Sequence, residues 1–151
     1  MGRLLTEKGL TLAVVESATG GLISHRITNV SGSSVYYKGS ITAYSNEIKQ
    51  KLIGVKMESL LRYGAVSHEV ARQMAKGGRR ALNSDICIAD TGIAGPGGGS
   101  DEKPVGTVYI AIADKAGTTS RQFVFNGARA QNKTLFAEAA LDWLVEHLQN
   151  I

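Results

Sequence analysis

Cysteine is all but missing from this 151-residue chain: Cys87 is the only one, and proline occurs only twice. A lone thiol cannot close an internal disulfide, and without companion ligands it cannot found a structural zinc site of the usual kind. Long apolar runs are missing as well. Nowhere do apolar residues continue for the roughly 18 positions that a membrane helix needs, and the opening segment MGRLLTEKGL lacks the apolar stretch of a signal peptide. These absences predict a cytoplasmic protein without a membrane partner. Charge of one sign is not in great excess. The formal net charge of +4 fits an anionic small substrate, but it is also ordinary for a soluble chain, so charge alone selects no partner. With no repeat and no linker-like stretch, residues 1–151 read as a single domain, 43% apolar and long enough to bury a core.

The order of elements predicts the fold class. Leu12 to Val15 form a short apolar run, read as a buried strand, that ends in the polar turn Glu16-Ser17-Ala18-Thr19-Gly20-Gly21. Helical spacing of Leu22, Ile23, Ile27 and Val30 follows. Val35 to Tyr44 reads as extended, Ser45 to Ile53 as helical, and Ser67 to Leu82 as a helix with Ser67 as its N-cap and Glu69 at its positive end. Asp85 to Ala89 gives a third buried strand, and Asp90 to Pro104 a long glycine-rich loop. Val105 to Ala113 and Arg121 to Phe125 read as a hairpin joined through Asp114 to Ser120. The closing segment carries Leu135, Phe136, Ala139, Ala140, Trp143, Leu144 and Leu148 on one helical face. Strands alternating with helices, then a hairpin and a final helix, predict an α/β fold: a three-layer α/β/α sandwich with a mixed, mostly parallel sheet.

In such sheets ligands bind where strands end and the chain turns outward. Three segments are candidates there. Ser17 with Thr19, Gly20 and Gly21 places a hydroxyl before a helix start whose free N–H groups can hold an anion or an oxyanion, although Ser, Thr and Gly-Gly are also common turn residues. Tyr44-Ser45-Asn46 precedes Lys49 by about one helical turn. A lysine base has to lose a proton held with a reference pKa of about 10.4, which takes burial or a neighbouring cation, and spacing alone favours an exposed lysine. Gly92-Ile93-Ala94-Gly95 opens a loop whose backbone can approach a ligand closely. It fits neither the Walker pattern nor the dinucleotide pattern, where Ser100 stands in place of the last glycine. His25, His68 and His147 lie far apart and suggest no metal site. Lys76, Arg79 and Arg80 read as a solvated helix face without the aromatic interleaving of a nucleic-acid surface.

Taken together in order, these segments resemble the CinA C-terminal domain family, whose stand-alone members are nicotinamide mononucleotide deamidases. The resemblance covers nearly the whole chain and rests on Glu16 to Gly21, on Tyr44-Ser45-Asn46 with Lys49, on Gly64-Ala65-Val66-Ser67, and on Thr91 to Pro96 with Lys103 to Thr107. It implies hydrolysis of the carboxamide of nicotinamide mononucleotide, with Ser17 and Lys49 as a catalytic pair and no metal or other cofactor. It also implies N–H groups near Gly20 and Gly21 as oxyanion donors, Tyr44 against the ring and Asn46 as a hydrogen-bonding amide. Gly92, Ile93, Ala94, Gly95 and Arg129 would serve the substrate phosphate. A homodimer is implied as well. The chain departs from many relatives in carrying Ala18 in place of cysteine, and Ala128 with Lys133 in place of an acid and an arginine. Two other readings remain at this point: a nucleotide-binding regulatory module without turnover, since longer relatives carry this domain behind another, and a nucleic-acid binder resting on basic balance alone.

Overall fold

The computed structural model describes residues 1–151. A five-stranded sheet in the order β2-β1-β3-β4-β5 is built from β1 (Leu12–Glu16), β2 (Tyr37–Thr42), β3 (Ile86–Gly92), β4 (Thr107–Ala113) and β5 (Thr118–Val124). β2 and β3 flank β1 in parallel, whereas β4 runs antiparallel to both of its neighbours. Four of the five strands therefore share a direction, and the sheet is mixed.

The period-2 alternation of the strands divides the core into two layers. Leu12, Val14, Ile86, Ile88, Ile110 and Ile112 face one way and pack against α1 (Gly2–Lys8), α2 (Leu22–Thr28) and α6 (Arg129–Gln149) through Leu5, Ile23, Ile27, Phe136, Trp143 and Leu148. Ala13, Val15, Cys87, Ala89 and Ala111 face the other way, toward α3 (Asn46–Lys51), α4 (Met57–Tyr63) and α5 (His68–Ala81). This second face is floored by small side chains, so α5 lies close to it. A Cβ added at Gly78 would stand 2.2 Å from Val15 Cγ2 and 2.8 Å from Cys87 Sγ, a separation that packed atoms do not tolerate. No helix is long and apolar enough to cross a membrane.

Three expectations are corrected. β3 continues through Asp90, Thr91 and Gly92, because these residues keep pairing with Ile110, Tyr109 and Val108 of β4; the irregular loop begins only at Ile93. β5 begins at Thr118 rather than Arg121, so the turn before it is shorter, and Asp114 Oδ1 closes it by accepting from the N–H groups of Ala116 and Gly117. Val30 lies beyond the end of α2 and is exposed. The expected N-cap is present: Ser67 Oγ accepts from Val70 N–H and donates to Gly64 O, which anchors the start of α5 beside the strand ends.

Candidate active site

Where β1 ends, alternation sends Glu16 to the α2–α6 side and Ser17 to the α3–α5 side. The same happens at the end of β3. Val15 pairs with Ala89, so Asp90 lies beside Glu16 and Thr91 beside Ser17. Two buried carboxyl groups thus sit under one layer while two hydroxyls face the other.

The carboxyl layer shapes the turn. Glu16 has no solvent exposure; its Oε2 accepts from Thr19 Oγ1 at 2.7 Å, Gly21 N–H at 2.9 Å and Ile23 N–H at 3.0 Å, and its Oε1 accepts from Ser24 N–H at 2.9 Å. A carboxylate therefore satisfies the orphan donors at the start of α2, in the place where the helix dipole favours negative charge. Asp90, also fully buried, lies within 3.2 Å of both Ser17 N and Thr19 N, which donate to its Oδ1 and Oδ2, and Thr19 Oγ1 is 2.5 Å from Oδ1. Burial pushes the Asp90 carboxyl up to about 6, the Thr19 hydroxyl lowers it, and the charge of Glu16 raises it further.

On the other side Lys49 is 2% exposed and directs its Nζ toward Ser17 Oγ at 2.9 Å, Ala43 O at 2.8 Å and Tyr44 O at 3.1 Å. No carboxylate pairs with it. Burial lowers its pKa from the ordinary lysine value, and the charge of Asp90 opposes that shift. The three partners match both forms of the amine, since an ammonium donates to all three. A neutral amine has two N–H donors and one lone pair; the carbonyls of Ala43 and Tyr44 take the donors, which leaves the lone pair for the Ser17 hydroxyl. Helix α3 supplies this geometry, since Ser45 Oγ caps it by accepting from Ile48 N–H and Lys49 follows one turn later.

Ser17 and Lys49 open on a cavity of about 210 Å³ that is also lined by Ala18, Tyr44, Asn46, Ala65, Val66, Thr91, Gly92, Ala94 and Arg129. Thr91 Oγ1 donates to Ala65 O and holds the floor, while Lys103 Nζ reaches across to Tyr63 O and ties the long loop to α4. Arg129 stands at the mouth. Its Nη1 donates to Gly95 O at 2.8 Å and its Nη2 to the Tyr44 hydroxyl at 3.3 Å. The buried Asn132 donates to Ala94 O and Gly127 O and accepts from Gly127 N–H, so one side chain joins the loop after β3 to the start of α6. Larger clefts lie elsewhere, one of about 410 Å³ lined by Lys56, Arg72, Lys76 and Arg80 and one of about 420 Å³ between β5 and α6.

Of the residues singled out in the sequence, Ser17, Lys49, Tyr44, Asn46, Gly92, Ala94 and Arg129 meet around this cavity. Thr19, Gly20, Gly21, Ile93 and Gly95 do not line it. Thr19 is buried with its hydroxyl between two carboxyl groups, and the Gly21 N–H is taken by Glu16, so neither is free to meet a substrate or an oxyanion. Ile93 spends its N–H on Thr107 O and its C=O on Gly106 N–H. Gly95 acts through its carbonyl, as the seat of Arg129. Sequence reasoning noted Ala18 only for its side chain, but its N–H makes no hydrogen bond within the protein and it lines the cavity next to Ser17. It also left Asp90 in a loop. The signal for Asp90 was its place directly after the buried run of β3, level with Glu16.

Comparison with known proteins follows the same outline. The family model described as CinA C-terminal domain matches residues 1–148. A CinA-like protein of Geobacter sulfurreducens is 53% identical over 148 residues, which is 98% of this chain and 36% of the relative; the chain thus spans about a third of the length of such relatives. Among solved structures, the competence/damage inducible protein CihA of Agrobacterium tumefaciens superposes with a TM-score of 0.92 at 37% identity, over 96% of this chain and 88% of the other. A CinA superfamily protein of Klebsiella pneumoniae 700603 gives a TM-score of 0.95 at 29% identity, over 99% and 93%.

Proposed function

The chain belongs to the CinA C-terminal domain family, and from that premise we propose that it is a nicotinamide mononucleotide amidohydrolase working through a Ser17–Lys49 dyad. The observation that carries the reading is the buried lysine without a counter-ion, 2.9 Å from a serine hydroxyl at the floor of a cavity.

In this reading neutral Lys49 takes the Ser17 proton as Oγ bonds to the carboxamide carbon. The carbonyl oxygen then carries negative charge, and the N–H of Ala18, which is unpartnered and belongs to a residue lining the cavity, is the donor assigned to it. Lys49, now an ammonium, returns the proton to the amide nitrogen, the C–N bond breaks and ammonia leaves. Water, deprotonated by the same amine, attacks the ester carbon; the Ser17 oxygen recovers its proton and the carboxylic acid is released. Asn46, which lines the cavity at the first turn of α3, supplies a carboxamide to orient the substrate amide, and Tyr44 borders the ring. The cavity of about 210 Å³ accommodates the reacting ring end, so the phosphate lies at the mouth, where Arg129 stands beside Ala94.

The chemistry fixes the products. Purified chain incubated with nicotinamide mononucleotide yields ammonia and nicotinic acid mononucleotide in equal amounts, read by enzymatic ammonia assay and chromatography, with no free nicotinamide. Release of free nicotinamide would mean cleavage of the ribosyl bond and would overturn the amidase reading.

A further inference from the structure

The Thr19 hydroxyl has one proton but two carboxyl neighbours, Glu16 Oε2 at 2.7 Å and Asp90 Oδ1 at 2.5 Å. It can donate to only one of them. The other contact, between two oxygens at that distance, is repulsive unless a proton sits on the carboxyl. Glu16 has the surroundings of an anion, with three backbone N–H donors besides the hydroxyl and a place at the N-terminus of α2. Asp90 has only two backbone donors, both at 3.2 Å. We propose that Asp90 is a positioning residue that holds a proton, donating from Oδ1 to Thr19 Oγ1, which in turn donates to Glu16 Oε2, and that this neutral carboxyl keeps Lys49 without a counter-ion and therefore available as a base.

The charged groups facing Asp90 are few. Glu16 of β1 lies beside it on the same side of the sheet, the charge of Lys49 of α3 acts from the opposite side, and on β4 its partner is the apolar Ile110. An ionised Asp90 would favour the ammonium form of Lys49, and a protonated one withdraws that support. The same carboxyl wraps the turn, since Ser17 N–H and Thr19 N–H both donate to it and so fix the nucleophile over Lys49. Burial raises its carboxyl to about 6 from 3.8 even with Thr19 counted as a donor to it, and donation from Asp90 to Thr19 instead favours the protonated form further. Because the folded protein then binds the proton more tightly than the unfolded chain, Asp90 contributes stability that is fully present below the unfolded value and lost as the pH rises through the folded one.

This inference deepens the amidase reading and rests on it for its catalytic part, but the proton can be observed without turnover. The side-chain carboxyl of Asp90, followed by ¹³C NMR in aspartate-labelled protein and assigned by its loss in Asp90→Asn, is expected to stay protonated through neutral pH, where Lys49 begins to act as a base. A midpoint below neutral pH in the folded protein would overturn the proposal whether or not the chain hydrolyses any amide. Activity gives the second arm. Asp90→Ala, checked for folding by circular dichroism, is expected to lose turnover by at least about a hundredfold, and Asp90→Asn, whose Nδ2 can donate to Thr19 Oγ1 but no longer accepts from Ser17 N–H, to recover at least about tenfold over the alanine variant. The acid limb of its pH–rate profile should fall at the same or a lower pH. A folded Asp90→Asn enzyme as inactive as the alanine variant, or one whose acid limb moves to higher pH, would mean that the site needs a carboxylate there.

Discussion

Ser17→Ala is expected to lower ammonia release from nicotinamide mononucleotide by at least about a thousandfold while leaving the fold intact. The substitution removes one oxygen atom from a nearly buried position, and the backbone that the turn depends on is untouched: the N–H groups of residues 17 and 19 still donate to Asp90, and Glu16 still caps α2. Lys49 keeps both carbonyl partners. Because the turn persists, substrate binding should change little, so the loss appears in kcat rather than KM. Circular dichroism and steady-state kinetics on the same preparation check both parts. A Ser17→Ala enzyme with a tenth of wild-type activity would exclude Ser17 as the nucleophile and direct attention to a water held by Lys49.

Lys49→Met should lose about two to four orders of magnitude in kcat/KM, the usual contribution of a general base. Methionine keeps most of the apolar stem and takes away the amine. Arginine in its place is expected not to restore activity, since a guanidinium keeps its proton at any pH the enzyme meets. The substitution also has a signature in stability. Burial lowers the Lys49 pKa in the folded state, so between that lowered value and the ordinary lysine value the unfolded chain binds more protons than the native one. Wild-type stability therefore rises with pH across that window, and Lys49→Met loses the rise. Urea unfolding of both proteins at several pH values checks the sign. Equal pH dependence in the two would mean that Lys49 holds its proton equally in both states.

Much of this site was legible in the sequence because strand ends announce themselves. The apolar run Leu12 to Val15 stops at Glu16-Ser17, and the capped turn at Ser45 places Lys49 one helical turn inside α3, so both side chains of the proposed dyad stand out. The burial of Lys49 was not legible. It depends on Ala43 and Tyr44 offering their carbonyls at the end of β2 and on β1 lying alongside, which are contacts between segments that spacing within one segment does not report. The glycine turn misled for a related reason. A helix start after Gly20 and Gly21 normally leaves free N–H donors, but here the long side chain of Glu16 reaches over to take those of Gly21, Ile23 and Ser24.

Three elements escaped for want of a periodic pattern. Helix α4 buries Leu60 while Leu61 is 80% exposed, and α1 buries only Leu5, so neither shows an apolar stripe. The first half of β5, Thr118 to Ser120, is polar because it lies at the sheet edge, where solvent takes one face. The reverse holds for Asp90 and Thr91. Polar residues after an apolar run read as a loop, yet pairing with β4 carries the strand past them and makes an aspartate part of the buried sheet.

The most direct test of the account is the rate of ammonia release from nicotinamide mononucleotide by the wild-type chain, followed as the pH is raised from near neutrality toward the ordinary lysine pKa of about 10.4. The account predicts turnover that climbs and then levels off well below that value, as a buried lysine loses its proton early and becomes the base for Ser17. No release at any pH, or a rate that keeps rising through the ordinary lysine value, would contradict it.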